Sequence, residues 1–444
     1  MNSIALRVSA CLLSLLLFAS CTEFSEQETK FSNKTATKQF LSTKSIADFK
    51  DTGIEKKDIE KYLFVRRNVS PESIDSIVRY DIDDIAYVYI VNLANSHWYL
   101  MSGDRYSIPI IAEGDGGFNL DFESDPSHHL ERWFQNIREM IVENRTSTSR
   151  QVTRFHKEWI DIIEGDNYQQ SIMNRSVLID TTETQSIITL DTLIYQYYPG
   201  LTVTQWDENY PFNEALPLYL PNYHCAAGCA VVALAQLLYY THFAFGYPND
   251  TFESATCSQY YNSSGTPPYT YNFSTPSTTC WNQMGLTVEQ NYNTTYVAAL
   301  YAFVAHRSST VYVLQDGEGV GSTTKPNAIA AMNQFLLTGV QDTTYSLSLA
   351  RNEIQNDRPV LTTGGSTPYG TIGHTYLLDG YQWLKTRSTE VVMDMTGIVL
   401  ESNTYIDESF AWHINTGEST GAHLLWDYSN TYYPYYREIF IGWQ

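Results

Sequence analysis

The sequence predicts an α+β fold in two successive folded halves, and three observations carry that prediction. Asp84 to Ile111 alternates apolar and polar residues into two β runs, and one amphipathic helix follows them. The run HCAAGCAVVALAQLLYY at 224–240 is a glycine-opened, apolar-periodic helix. Beyond residue 358 nearly every apolar stretch reads as strand. At 444 residues the chain has the length of two to three domains and can bury sizeable cores, and no internal repeat divides it further.

Residues 1–20 are read as a targeting segment: Arg7, the apolar run ACLLSLLLFAS, then Cys21. The apolar run is too short to span a membrane as a helix. Ala19 and Ser20 before Cys21 resemble a bacterial lipobox, although Phe18 is less usual there than leucine; a plain secretory signal is the alternative. The expectation is an exported bacterial lipoprotein, held at the outer membrane or cell surface by lipid on Cys21, with residues 21–45 as a flexible tether.

In the first half, DIAYVYIVNLANSHWYLMSGDRYSIPII forms a hairpin with turn chemistry at Asn92 to Ser96. After the glycine-rich EGDGGF, Asp125 and Pro126 open a helix that places Leu130, Trp133, Phe134, Ile137 and Ile141 on one face. A second amphipathic stretch, 154–165, leads into the polar segment 166–190, where the boundary between the halves is placed. In the second half, Val232, Ala235, Gln236 and Tyr239 recur at helical steps after Cys229. NAIAAMNQFLLTG (327–339) is read as a helix; RPVLTTGG (358–365), GHTYLLDGYQWL, TEVVMDMTGIVLESN and the terminal EIFIGWQ are read as strands.

A balance of 27 Lys and Arg against 49 Asp and Glu, net −22, argues against nucleic acid or an anionic membrane surface as partner. The 34 tyrosines and the Asn, Thr and Ser of 250–310 suit the exposed strands and loops of an exported protein. With Cys11 in the signal and Cys21 at the lipid site, Cys225, Cys229, Cys257 and Cys280 remain. An oxidising compartment would allow a Cys257–Cys280 bridge, whereas a Cys225–Cys229 bond would silence the thiol. There is no CxxC pair and no histidine cluster at ligand spacing, so neither zinc nor another cofactor is called for.

The chemistry centres on Cys229. Unpaired N–H groups at a helix N-terminus favour thiolate over thiol and lower a cysteine pKa from roughly 8.5; the alternative is a buried small hydrophobe. A nucleophilic thiol needs a base, and His374 follows Gly373 at the start of an apolar strand, in a position to come from a different lobe. Asn415, in FAWHINTG, could accept the imidazole N–H and fix its tautomer, with His413 on the same strand face in a structural role. An oxyanion donor is sought upstream in TQWDENYPFN, where Gln205, Asn209 and the Cys229 backbone N–H are candidates.

These motifs together resemble the streptopain family of papain-like cysteine peptidases. QWDENYPFN resembles the family's W-x-Q-x-x-P-[YF]-N, GCAVVALAQLLYY its G-C-[VA]-x-x-A-x-A-Q-x-[LM]-x-[YH], and RPVLTTGG with GHTYLLDGY its [RYK]-P-V-L…G-H-x-[FY]-x-x-D-G-Y. YVYIVNLANSHWYLMSGDRYSIPIIAEGDGGF looks like the family propeptide. The resemblance implies an inhibitory prodomain at 46–180 and a papain-like peptidase domain, helical lobe plus antiparallel β lobe, at 187–444. It further implies Cys229 as nucleophile, His374 as base, and Gln236 as a packing hydrogen bond. Substrates would be proteins or peptides, and the prodomain would be an intramolecular inhibitor.

Three departures stand out. The family's oxyanion glutamine falls on Glu208, and an ionised carboxylate cannot donate; losing such a donor removes roughly 10²–10³ in rate unless Glu208 is protonated or Asn209 substitutes. The family's W-G-W-G after the asparagine becomes Thr416, Gly417, Glu418 and Ser419, so an aromatic wall is missing. Thr323 and Thr324 replace small residues in GVGSTTKP. The chain is therefore expected to be a secreted, lipid-anchored cysteine endopeptidase made as a zymogen. The alternative is a catalytically impaired pseudo-peptidase that serves as a surface binding protein.

Overall fold

The computed structural model describes residues 53–118, 128–163, 179–181, 184–246, 255–259, 261–262, 269–273, 281–292, 295–315, 317–335, 339–366, 373–394, 398–418 and 423–443. Twelve strands form one sheet: β1 Ile74–Asp81, β2 Tyr87–Leu93, β3 His97–Ser102, β4 Ile110–Asp115, β5 Ile179–Thr181, β6 Thr184–Tyr198, β7 Gln341–Thr344, β8 Val360–Gly365, β9 Gly373–Asp394, β10 Val399–Asn415, β11 Leu424–Asp427 and β12 Tyr435–Ile441. Their order is β1-β2-β3-β4-β11-β10-β9-β8-β12-β7, with β6 laid along the distal part of β9 and β5 paired to β6. The helices that matter below are α1 Lys56–Arg67, α2 His128–Thr146, α3 Arg150–Ile163, α4 Cys229–Phe245, α5 Tyr296–Arg307 and α6 Lys325–Gln334.

The leading unit shows why its strands form. Side chains alternate faces along a strand, and both faces of β2 and β3 are covered. Val88, Ile90, Trp98 and Leu100 pack with Trp133, Phe134, Ile137 and Ile141 of α2. Tyr89, Val91, Tyr99 and Met101 pack with Ile59 and Leu63 of α1 and Trp159 and Ile162 of α3. Cover on both faces accounts for the near-continuous apolar character of YVYIVNL and HWYLMS. Of the α2 face read from the sequence, Trp133, Phe134, Ile137 and Ile141 are buried, while the Leu130 side chain lies outside the described ones; the described span begins at His128.

α4 is buried throughout its first ten residues, Cys229 to Leu238, which suits a helix apolar on every side. Around it gather Trp206, Trp281, Leu300 and Tyr301 of α5, Tyr312, and Ala331 and Met332 of α6, making the helical lobe. The α+β class, with a helical lobe, an antiparallel β lobe and a smaller α+β unit ahead of them, is as the sequence predicts.

Two features differ from the reading of the sequence. First, the described end of the polar segment in which the boundary is placed is strand, not only a boundary. TQSIITLDTLIYQYY is strand β6, antiparallel to β9 from Tyr198↔Tyr381 to Thr184↔Asp394. Its Ile, Leu and Tyr content carries the β preference. Second, the halves share a sheet: β4 pairs with β11 through Gly114↔Leu425, Glu113↔Trp426 and Ala112↔Asp427. One apolar cluster runs across that seam, from Trp98 and Trp133 to Tyr376, Trp412, Leu425 and Ile439.

Candidate active site

Gly228 sets up the helix that presents Cys229. It is the N-cap residue with φ +86, a left-handed backbone that favours glycine. A Cβ there would overlap the carbonyl of Gly321, and one on Gly321 would overlap the carbonyl of Ala227. The backbones touch because Ala226 N–H donates to Gly319 O at 2.8 Å and Gly321 N–H to Ala226 O at 2.9 Å. The glycines of GVGSTTKP thus act first in seating the start of α4, on the hairpin of Val311–Gln315 and Glu318–Ser322.

The Cys229 sulfur is held in a disulfide, whose partner is not among the described side chains, and its residue is 2% exposed. The thiolate expected from the sequence is therefore absent in this state. Cys225 is a free thiol, so the two helix-start cysteines are not joined to each other. Burial pushes the Cys225 pKa up to about 12, which keeps it protonated and inert. The Cys257–Cys280 pairing falls on side chains outside the described residues.

His374 opens β9 opposite Gly364 of β8 and is buried, at 1% exposure. Its Nε2 lies 2.8 Å from the carbonyl oxygen of Thr416. A carbonyl can only accept, so Nε2 carries the proton and Nδ1 is the basic nitrogen. The Glu418 Oε1 is 3.3 Å from the same Nε2. Burial pushes the imidazole pKa down to about 4; the Thr416 bond opposes that shift and the charge of Arg132 adds to it. Tyr433 packs on the ring at 4.9 Å between centroids.

Asn415 does not perform the role expected of it. Its Nδ2 donates to Thr202 Oγ1 at 3.0 Å and Thr204 O at 2.9 Å, while the next residue's carbonyl takes the imidazole proton. Asn415 instead ties β10 to the 202–204 segment, and Thr204 Oγ1 donates to Gln236 Oε1 at 2.8 Å on α4. That bond places Gln236 in packing. Gly417 closes the circuit: its Cα faces Val232 in the first turn of α4, and an added Cβ would sit 3.0 Å from that side chain. His374, Thr416, Gly417 and the start of α4 therefore form one contiguous patch.

The oxyanion candidates lie beside it. The Glu208 carbonyl accepts the Ala227 N–H at 2.9 Å, which pins this loop two residues before Cys229. The Glu208 residue is half-buried, and Asn209 is exposed. Gln205 lies against Gly116 of the leading unit, its Oε1 4.0 Å from where a Cβ on Gly116 would stand. His413 is structural, its Nδ1 2.6 Å from Asp379 Oδ1. Thr323 is buried, with its hydroxyl 2.7 Å from Thr310 Oγ1, so it faces inward. Among the described residues no group of three His, Cys, Asp or Glu side chains is placed to hold a metal.

The propeptide resemblance implies a helix of the leading half over the site, and α2 makes specific contacts there that the sequence reading did not name. Trp133 Nε1 donates to Thr431 Oγ1 at 3.0 Å and Asn136 Nδ2 to Thr431 O at 3.1 Å. The Trp133 ring meets Tyr432 edge-on at 5.7 Å, and Arg132 hydrogen-bonds Tyr433. The leading unit thus grips the loop that walls His374. Thr416 was missed because a backbone carbonyl leaves no mark in the residue type.

Residues 206–419 match the model of the Peptidase C10 family. No curated protein matches the chain. Among solved structures, a mutant fragment of prointerpain A from Prevotella intermedia is 15% identical, with a TM-score of 0.48, covering 83% of this chain and 98% of that one. The active wild-type interpain A cysteine protease of Prevotella intermedia is 18% identical, with a TM-score of 0.40, covering 55% and 94%. Residues 206–419, just under half of the chain, are the stretch that resembles the streptopain family of cysteine peptidases, and they hold both Cys229 and His374.

Proposed function

We infer that this protein is a cysteine endopeptidase made as a latent precursor, exported and lipid-anchored through Cys21, with Cys229 as nucleophile and His374 as base. The observation that carries the reading is the His374 tautomer: with Nε2–H committed to Thr416 O, Nδ1 holds the lone pair a thiol needs. Residues 46–180 act as the inhibitory prodomain, supported by the α2 contacts to the Thr431–Tyr433 loop.

Reduction of the Cys229 disulfide comes first, because a sulfur bonded to sulfur has no proton to lose. Nδ1 then takes the thiol proton and the thiolate forms a C–S bond with the peptide carbonyl carbon. The imidazolium returns that proton to the amine nitrogen as the C–N bond breaks. Water, deprotonated by Nδ1, releases the acid from the thioester. The backbone N–H of Cys229 and the Asn209 amide are the candidate donors for the oxyanion. Glu208 serves there only in its protonated form.

The test uses the full-length chain with casein and a thiol-directed epoxide. Hydrolysis should require both a reductant and cleavage between about residues 165 and 195, the epoxide should map to Cys229, and Cys229→Ala should abolish both signals while Cys225→Ala leaves them. A reduced, cleaved chain that binds but never hydrolyses protein would establish the pseudo-peptidase instead.

A further inference from the structure

We propose that Glu418 is the positioning residue of His374, a carboxylate that holds the imidazole and stabilises its protonated form in place of the Asn415 amide. This rests on the Cys229–His374 reading above. Glu418 is 4% exposed and His374 1%, so the pair interacts with little solvent screening. Oε1 lies 3.3 Å from Nε2, and the N–H already aimed at Thr416 O is shared between the two acceptors. The carboxylate is itself fixed: the Tyr432 hydroxyl donates to Oε1 at 3.0 Å, and the Glu418 N–H donates to Thr416 Oγ1 at 3.3 Å. Gly417, at φ +71, supplies the left-handed turn that swings residue 418 back over the ring.

The Asn415 amide donates to Thr202 and Thr204, and its Oδ1 has no hydrogen-bond partner among the described residues. A carboxylate on the nitrogen opposite the basic one fixes the tautomer, orients the ring and favours the imidazolium that forms when the thiol gives up its proton. The charged and titratable groups that face this pair are Arg132 from α2, Tyr432 and Tyr433 from the loop before β12, and Tyr376 on β9, itself backed by Arg437 of β12. Arg132 is the cation among them that disfavours imidazolium, and it belongs to the leading unit.

Reduced full-length protein is allowed to process, and kcat and KM for a peptide substrate are followed from pH 4 to 10. Glu418→Gln, which keeps the shape and removes the charge, should move the alkaline limb down by about one unit or more and lower kcat about tenfold or more, with KM unchanged within about twofold. Glu418→Asp should restore part of the limb. Superimposable profiles for native and Glu418→Gln protein would overturn the proposal and leave the peptidase reading standing. If native protein hydrolyses nothing, that reading falls. The His374 Nε2–H resonance of the full chain then decides on its own: a shift in Glu418→Gln supports the contact, and an unmoved signal overturns it.

Discussion

His374 and His423 are the residues at which protonation bears most directly on stability. Burial pushes each pKa down to about 4 from an ordinary value near 6.5, with Arg132 adding to the shift at His374 and Glu289 opposing it at His423. Between those values the unfolded chain binds protons that the folded chain refuses, so stability must rise with pH from about 4 to about 6.5 and be lost on acidification. Each histidine contributes on the order of 3 kcal/mol to that window. Denaturant midpoints taken between pH 4 and pH 7 should show the slope, and His423→Gln should remove about half of it; an unchanged slope would mean that other groups govern the acid limb. At this scale the sequence was legible where the type of a side chain carries the signal. Cys229 and His374 were singled out from Gly-Cys before an apolar helix and Gly-His before an apolar strand. It was not legible where a backbone atom does, as with Thr416 O, or where a departure from the family pattern conceals a gain. Glu418 read as a lost aromatic because its value depends on a turn at Gly417 that brings it to His374.

Among the elements, α2 packs against the loop that walls His374. Its apolar face was readable from spacing alone, since Trp133, Phe134, Ile137 and Ile141 recur at helical steps and all are buried. Its polar contribution was not readable: Arg132 becomes relevant only because the helix lies against the Thr431–Tyr433 loop, nearly 300 residues away in sequence. The positive charge of Arg132 and the burial of the site both oppose imidazolium formation. Arg132→Met in the full-length, reduced protein should therefore raise the His374 pKa toward its ordinary value and give measurable hydrolysis before any cleavage. NMR titration of the imidazole and a casein assay check the two halves of that expectation, and a variant as silent as the native precursor would place the latency elsewhere. β6 makes the complementary point. Its polar residues gave no strand signal in the sequence, yet pairing along β9 satisfies its backbone, a long-range outcome that local composition does not report.

At the scale of the whole molecule, the two halves read from the sequence are two stretches of chain but share one sheet and one apolar cluster. Binary patterning reveals which residues face inward, and it is silent on which edge a strand meets, so the β4–β11 pairing could not be anticipated. With Trp98 and Trp133 packed in the same cluster as Trp412, the full chain should lose its tertiary and secondary structure together. Tryptophan fluorescence and far-ultraviolet circular dichroism should trace a single coincident denaturant transition; two separated transitions would show that the seam is weaker than its contacts imply. The seam has a further effect. Departure of the leading unit strips β11 of a neighbour and leaves Leu424–Asp427 as a bare rim with its N–H and C=O groups turned outward. Removal of the leading unit would thereby bare a ledge for an extended chain, and its span of four residues keeps that ledge too short to template stacking of one such molecule on the next.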